Sequence, residues 1–183
     1  SDEDLLPDNT APSSLNIGFV GVGGGGNKMV NAFIELGFNK TLLVNTTGKD
    51  IPKNVAEDHV VLIPDSDGIG KNVEYGKEVL VQNGAIIEDA LRIKLGKVDW
   101  LIVLAGGGGG TGSSVTALHP VFERYMRSVQ SSGKVVYVIS WPTAQENLNP
   151  TIARNALTLA NDVTRYPHII LDNERATRLL RGR

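Results

Sequence analysis

The chain has no cysteine in its 183 residues. That excludes disulfides and thiolate metal sites, and it fits a reducing, cytoplasmic setting. Histidine is scarce as well. His59, His119 and His168 are scattered without metal-ligand spacing, so no metal is assigned to protein side chains. No apolar run approaches membrane-spanning length, and no signal peptide is visible. Charge of one sign is missing too. The 18 Lys and Arg against 20 Asp and Glu give a net charge of −2, which offers no argument for nucleic acid or an acidic membrane as partner. The length predicts one domain with tails, large enough for a sizeable core. The first residue is Ser1, consistent with a processed or truncated start.

Glycine is what the chain has in excess. There are 21, and nine of them cluster in two runs, Gly23–Gly26 and Gly106–Gly110. Each run follows an apolar stretch and precedes a helical pattern. Leu15–Val22 reads as a first strand, followed by a helix with Val30, Phe33 and Ile34 on one face. Thr41–Val44 and Val60–Ile63 read as the second and third strands. A helical stretch from about Val73 to Leu95 is expected to break near Asn83-Gly84. Trp100–Leu104 is the fourth strand. The helix expected after its glycines is periodic through Val115, Leu118, Phe122, Tyr125, Met126 and Val129. Lys134–Ser140 is the fifth strand, Asn149-Pro150 a helix start, and His168–Leu171 the sixth strand. Residues 1–14 read as a disordered acidic tail, 15–173 as the folded domain, and 174–183 as a basic tail or the start of a further helix. The alternation predicts an α/β fold: a Rossmann-like parallel sheet with helices on both faces.

Ligands in such sheets bind at the carboxyl ends of the strands. Both glycine runs leave carboxyl ends, so both can face one ligand. Amide N–H groups at a helix start are free and the helix dipole favours an anion. Glycine removes the side chains that would hold a phosphate away. Thr111, Ser113 and Ser114 add hydroxyls. A flexible connector is the other use of such a run, and it suits poorly the junction of a buried strand and a helix. A dinucleotide fold is one reading, since Gly21-Val22-Gly23-Gly24-Gly25-Gly26 satisfies G-x-G-x-x-G. A glycine run satisfies that pattern cheaply, Asn45 stands where the ribose-binding acid belongs, and the second run is left unused. A P-loop fails because Asn72 follows Gly70-Lys71 where Ser or Thr is needed for magnesium.

Gly108-Gly109-Gly110-Thr111-Gly112-Ser113-Ser114 resembles the G-G-G-T-G-[S/T]-G signature of the tubulin/FtsZ family. The remaining segments follow that family's order and look closer to FtsZ than to eukaryotic tubulin. Gly23–Gly26 with Asn27 is similar to the first nucleotide loop, and Asn45-Thr46 to the second. Gly68-Ile69-Gly70 through Gly76 is similar to the third, shortened. Pro142 with Glu146 is similar to the ribose loop, and Leu171-Asp172-Asn173 to the loop whose asparagine meets guanine. The likeness runs from about Asn16 to Asn173.

The resemblance implies a guanine nucleotide, GTP or GDP, with Mg2+ riding on its phosphates. It also implies head-to-tail self-association of the full-length protein into cytoskeletal filaments, with GTP hydrolysed at the subunit junction. Carried over, Gly24, Gly25 and Gly26 approach the phosphates from the first loop, beside Asn27. Gly106, Gly108, Gly109, Gly110 and Gly112 wrap them from the signature loop, with Thr111 and Ser113 donating hydroxyl hydrogen bonds. Asn45 and Thr46 come from the second loop, and Gly70 and Asn72 close on the γ-phosphate. Lys28 and Lys71 either neutralise phosphate charge or are solvated. With Pro142 beside it, Glu146 either accepts from ribose hydroxyls or is a plain loop carboxylate. Asn173 either reads the guanine edge or caps a helix.

Three residues depart from the pattern. Ser114 stands where the signature ends in glycine, and Thr47 where FtsZ relatives carry an acid. Pro150 replaces an arginine for which Arg154, one turn later, can substitute. In the family a long central helix, a loop with paired acids and a second domain follow the sixth strand. No N-x-D-x-x-D occurs in these residues. The expectation is therefore the GTP-binding domain of a filament-forming GTPase, its hydrolysis completed in trans by an acid loop absent here, with no catalytic residue assigned. One alternative is a short relative acting as a nucleotide-dependent binding or assembly module. The other is a dinucleotide-binding oxidoreductase domain.

Overall fold

The computed structural model describes residues 16–64 and 69–172. Gly68, Asn173 and the two expected tails lie outside the described residues. Six strands form one parallel sheet: β1 (Ile17–Val22), β2 (Thr41–Asn45), β3 (Val60–Leu62), β4 (Trp100–Gly106), β5 (Lys134–Trp141) and β6 (His168–Asp172). Their order is β3-β2-β1-β4-β5-β6, and each neighbouring pair is parallel. Parallel neighbours need crossovers, which α1 (Gly23–Glu35), α2 (Val73–Gln82), α3 (Gly84–Leu95), α4 (His119–Ser128) and α5 (Pro150–Val163) help to provide.

Alternation along the strands builds two cores. Val20, Val22, Leu42, Val44, Leu101 and Val103 point to one face, where they meet α2 to α5 through residues such as Leu80, Leu91, Phe122 and Leu159. Phe19, Leu43 and Leu104 point to the other, against Met29 and Val30 of α1. Each fully buried leucine contributes roughly 2 kcal/mol of transfer free energy. The expected arrangement of helices on both faces therefore holds, with α1 covering one face and four helices the other.

The expected break between α2 and α3 is present. The Asn83 amide donates to both Val79 and Leu80 carbonyls at 3.2 Å, and its side chain donates to Val79 C=O at 2.8 Å. These bonds close the last turn of α2 before Gly84 restarts the helix. Two expectations need correction. Gly23–Gly26 are not a loop before a helix; they are its first turn. Gly23 has φ +77°, a conformation glycine reaches without strain. The helix expected as one run after the second glycine run is also divided. Gly112–Leu118 is a 3₁₀ segment, and α4 begins at His119. Pro120 has no N–H to continue an α ladder, so it is accommodated in the first turn of a new helix.

Candidate functional site

The strand order reverses direction at β1, which pairs β2 on one side and β4 on the other. Open α/β sheets bind ligands in the crevice at such a switch point, beyond the carboxyl ends of the strands. Both glycine runs emerge there. They pack backbone against backbone: a Cβ on Gly23 would stand 2.8 Å from Gly112 N, and one on Gly25 3.1 Å from Gly106 Cα. A Cβ on Gly112 would meet Gly106 O at 2.6 Å, and one on Gly26 would fall on the Leu104 carbonyl. Most of these glycines are therefore required by the approach of one loop to the other. Gly109 is different. It is exposed, and a Cβ there would meet nothing within 4 Å.

Both helical starts at the crevice are bare. Neither α1 nor the Gly112–Leu118 segment has a side-chain cap or an acid in its first turn. The first N–H groups of α1 keep the partial positive charge of a helix start, whereas in the second segment Ser113 N donates to Gly109 O at 3.2 Å and Ser114 N to Thr111 O at 3.1 Å. Within the second run, Gly107 N donates to Ser140 O at 2.9 Å, Gly108 N to Ser113 Oγ at 3.1 Å, and Gly110 N to Gly70 O at 3.0 Å. Among the described residues, the Gly109 and Thr111 N–H groups meet no protein acceptor. An anion at these starts would complete the hydrogen bonding that the chain leaves open. Asp50 is the nearest neighbour of Gly24, its Oδ2 lying 2.9 Å from where a Cβ would be.

Behind the loops runs a buried polar chain. Asn27, fully buried, donates to Gly21 O at 3.0 Å and accepts from Asn45 Nδ2 at 2.9 Å. Asn45 Oδ1 accepts from Thr46 N at 2.8 Å, and the Thr46 and Thr111 hydroxyls meet at 3.0 Å. The two asparagines thus lie one layer behind the crevice and align the second loop with the signature loop. Asn45, 2% exposed, offers no carboxylate to the crevice where a dinucleotide site carries its ribose-binding acid. Ser113 is buried, its hydroxyl facing the Gly108 amide. Lys28, Gly70, Lys71 and Asn72 are exposed; Asn72 Oδ1 caps α2 by accepting from Tyr75 N at 3.0 Å.

The fifth strand brings in a further loop. Pro142 is buried, with its Cγ 3.8 Å from the place of a Cβ on Gly108. Glu146 is exposed; its Oε1 accepts from Thr143 N at 2.9 Å, while its own amide donates to Thr143 Oγ1 at 3.1 Å. That reciprocal pair is a capping box, legible in the sequence as Thr143-Ala144-Gln145-Glu146. Asn149 caps α5, accepting from Thr151 N at 2.9 Å and Ile152 N at 3.2 Å. Sequence reading missed Asn155, which is 6% exposed and bonds two loops at once. Its place on the inner face of an amphipathic helix, among apolar residues, was the available signal.

Away from the crevice, α4 meets β5 through a cluster of rings. The Tyr137 hydroxyl lies 2.7 Å from His119 Nδ1, and the His119 ring stacks on Tyr166 at 3.9 Å. Burial holds His119 below the usual histidine range, partly opposed by Glu123, and pushes the Tyr137 phenol up. Among the described residues, no group of His, Cys, Asp and Glu is arranged to hold a metal ion. No described helix is long and apolar enough to cross a membrane.

Comparison with known proteins agrees with this geometry. The family model described as Tubulin/FtsZ family, GTPase domain, matches residues 16–180. The cell division protein FtsZ of Mycoplasmopsis pulmonis is 31% identical over 126 residues, covering 67% of this chain and 30% of that protein. CetZ from Methanosaeta thermophila superposes with a TM-score of 0.75 at 24% identity, over 91% of this chain and 53% of that one. CetZ2 from Haloferax volcanii, a GTPγS-bound protofilament, gives 0.74 at 23% identity, over 87% and 50%. The chain thus spans 30% of the curated relative and about half of each solved structure.

Proposed function

The chain belongs to the tubulin/FtsZ family, and from that membership we propose that it is the guanine-nucleotide-binding domain of a cytoplasmic, filament-forming protein. One observation supports this most: two uncapped helical starts converge at the β1–β4 crevice, with the Gly109 and Thr111 amides open toward an anion. N–H and hydroxyl donors suit phosphate oxygens, which accept and do not donate. The glycine runs hold the phosphates, Thr46 and Thr111 supply hydroxyls, and Gly70 and Asn72 face the terminal phosphate. Glu146 faces the ribose, and Asn173 meets the base. Magnesium, when bound, neutralises the phosphates, and Asp50 brings a carboxylate to the same turn.

Self-association follows the same reasoning. The H. volcanii relative is a protofilament bearing GTPγS, which supports head-to-tail association of the full-length protein with its nucleotide at the subunit junction. No hydrolytic residue is assigned within the chain.

Titration with a fluorescent guanine nucleotide in magnesium buffer, competed by GTP, GDP, ATP and NAD, tests the proposal. Displacement by GTP and GDP but not by ATP or NAD is expected. Displacement by NAD alone would replace this reading with the dinucleotide one.

A further inference from the structure

Residues 69–73, which lead into α2, are tied to the second glycine run by side chains that nucleotide contact does not require. Asn155 of α5 donates from one nitrogen to two carbonyls, Lys71 O at 2.8 Å and Gly108 O at 2.9 Å. A carboxamide nitrogen carries two N–H groups in a fixed fork, so a single side chain can hold two separate segments. Ser114 adds a second tie. Its hydroxyl, fully buried, lies between Val73 O at 2.9 Å and Gly110 O. Gly76 makes room for it, since a Cβ there would fall on the Ser114 hydroxyl. The backbone adds a third tie, from Gly110 N to Gly70 O at 3.0 Å. Ile69 is buried, and a Cβ on Gly110 would stand 2.5 Å from its Cγ2.

Asn155 and Ser114 therefore bind the two segments from behind, through carbonyls of both. Ser114 is also the position at which the signature departs from glycine. The departure has a matching partner in Gly76, so the pair reads as one fitted contact.

We propose that Asn155 and Ser114 are positioning residues that dock segment 69–73 onto the glycine-rich loop and thereby set the preference for a nucleoside triphosphate over a diphosphate. The proposal rests on the nucleotide reading above, in which this segment meets the terminal phosphate while the glycine runs hold the inner ones. A segment already docked has little freedom left to lose when the terminal phosphate arrives. A diphosphate does not reach it, and so gains little from the docking. Loosening the segment should therefore weaken triphosphate binding selectively.

The test uses the whole 183-residue chain. Affinities for GTPγS and GDP are measured calorimetrically for the wild type, Asn155→Ala and Ser114→Ala. GTPγS binding is expected to weaken by about tenfold in Asn155→Ala, the scale of one or two lost positioning hydrogen bonds, and GDP binding by less than about threefold. Ser114→Ala should shift the same ratio by a smaller factor. Hydrogen exchange on the nucleotide-free protein gives a second readout. The Gly110 amide should exchange at least about tenfold faster in Asn155→Ala, because its acceptor, Gly70 O, belongs to the loosened segment. Asn155→Asp keeps the shape but turns a carboxylate toward both carbonyls, and it should reproduce the loss. An equal fall for both nucleotides, or an unchanged ratio with unchanged exchange, would overturn the proposal while leaving the nucleotide reading intact. A wild-type chain that binds neither nucleotide overturns the nucleotide reading and this preference with it.

Discussion

Helical segments begin at the carboxyl edge of this sheet in two chemical states. α2 and α5 are capped from their own sequence, by Asn72 on Tyr75 N and by Asn149 on Thr151 N and Ile152 N. α1 and the Gly112–Leu118 segment have no side-chain cap and no acid in the first turn. A missing cap ordinarily costs about 1 kcal/mol. The two bare starts face each other across the β1–β4 crevice, and the capped ones flank them. At this edge of the sheet the chain caps two helix starts itself and leaves two without a cap where an anion can take its place; α3 and α4, which start elsewhere, also lack side-chain caps, so the contrast belongs to this edge.

Substitutions can break that contrast. Gly26→Ala should have the largest effect, because its Cβ falls on the Leu104 carbonyl in the backbone contact between α1 and β4. A loss of roughly 3 kcal/mol or more is expected from urea denaturation. Gly109→Val sharpens the contrast from the other side. Nothing lies within 4 Å of a Cβ at Gly109, so stability should stay within about 0.5 kcal/mol. Nucleotide affinity should fall about tenfold or more, because the side chain would stand beside the open amides. Two glycines of the same clusters would then separate into one that serves packing and one that serves the ligand.

Asn149→Ala removes a cap at a start that is not bare. The expected cost is about 1 kcal/mol in a thermal melt, with affinity changed by less than about twofold. The smallest effect is expected at the ring cluster between α4 and β5. Folded His119 binds its proton less readily than the unfolded chain does, so lowering the pH favours unfolding. Its contribution is fully present above the ordinary histidine value of about 6.5 and is lost as the pH falls through the lower folded value. Denaturation midpoints between pH 7.5 and 5 should therefore decline more in the wild type than in His119→Gln.

The sheet was legible because its strands are short and apolar, the four inner ones largely buried, and because proline and glycine mark many of their ends. The break at Asn83-Gly84 was legible for the same reason. Pro120 was equally visible, but the apolar period running from Val115 to Val129 masked the division it makes. The glycines were read as a phosphate cradle. Their tighter requirement is the approach of one backbone to another, as at Gly25 and Gly106, which no single-sequence pattern encodes. Asn27 and Asn45 look in sequence like site residues, yet their bonds run sideways into the buried network between loops. Asn155 was missed because the ties it makes link positions 84 and 47 residues away.

Backbone amide chemical shifts followed by NMR while GDP and magnesium are added test the central claim most directly. The largest changes are predicted at Gly24, Gly25, Gly109 and Thr111, in the two bare starts, with Tyr75 and Thr151 in the capped starts moving little. Changes confined to the capped starts or to the His119 ring cluster, or no change at saturating nucleotide, would contradict the account.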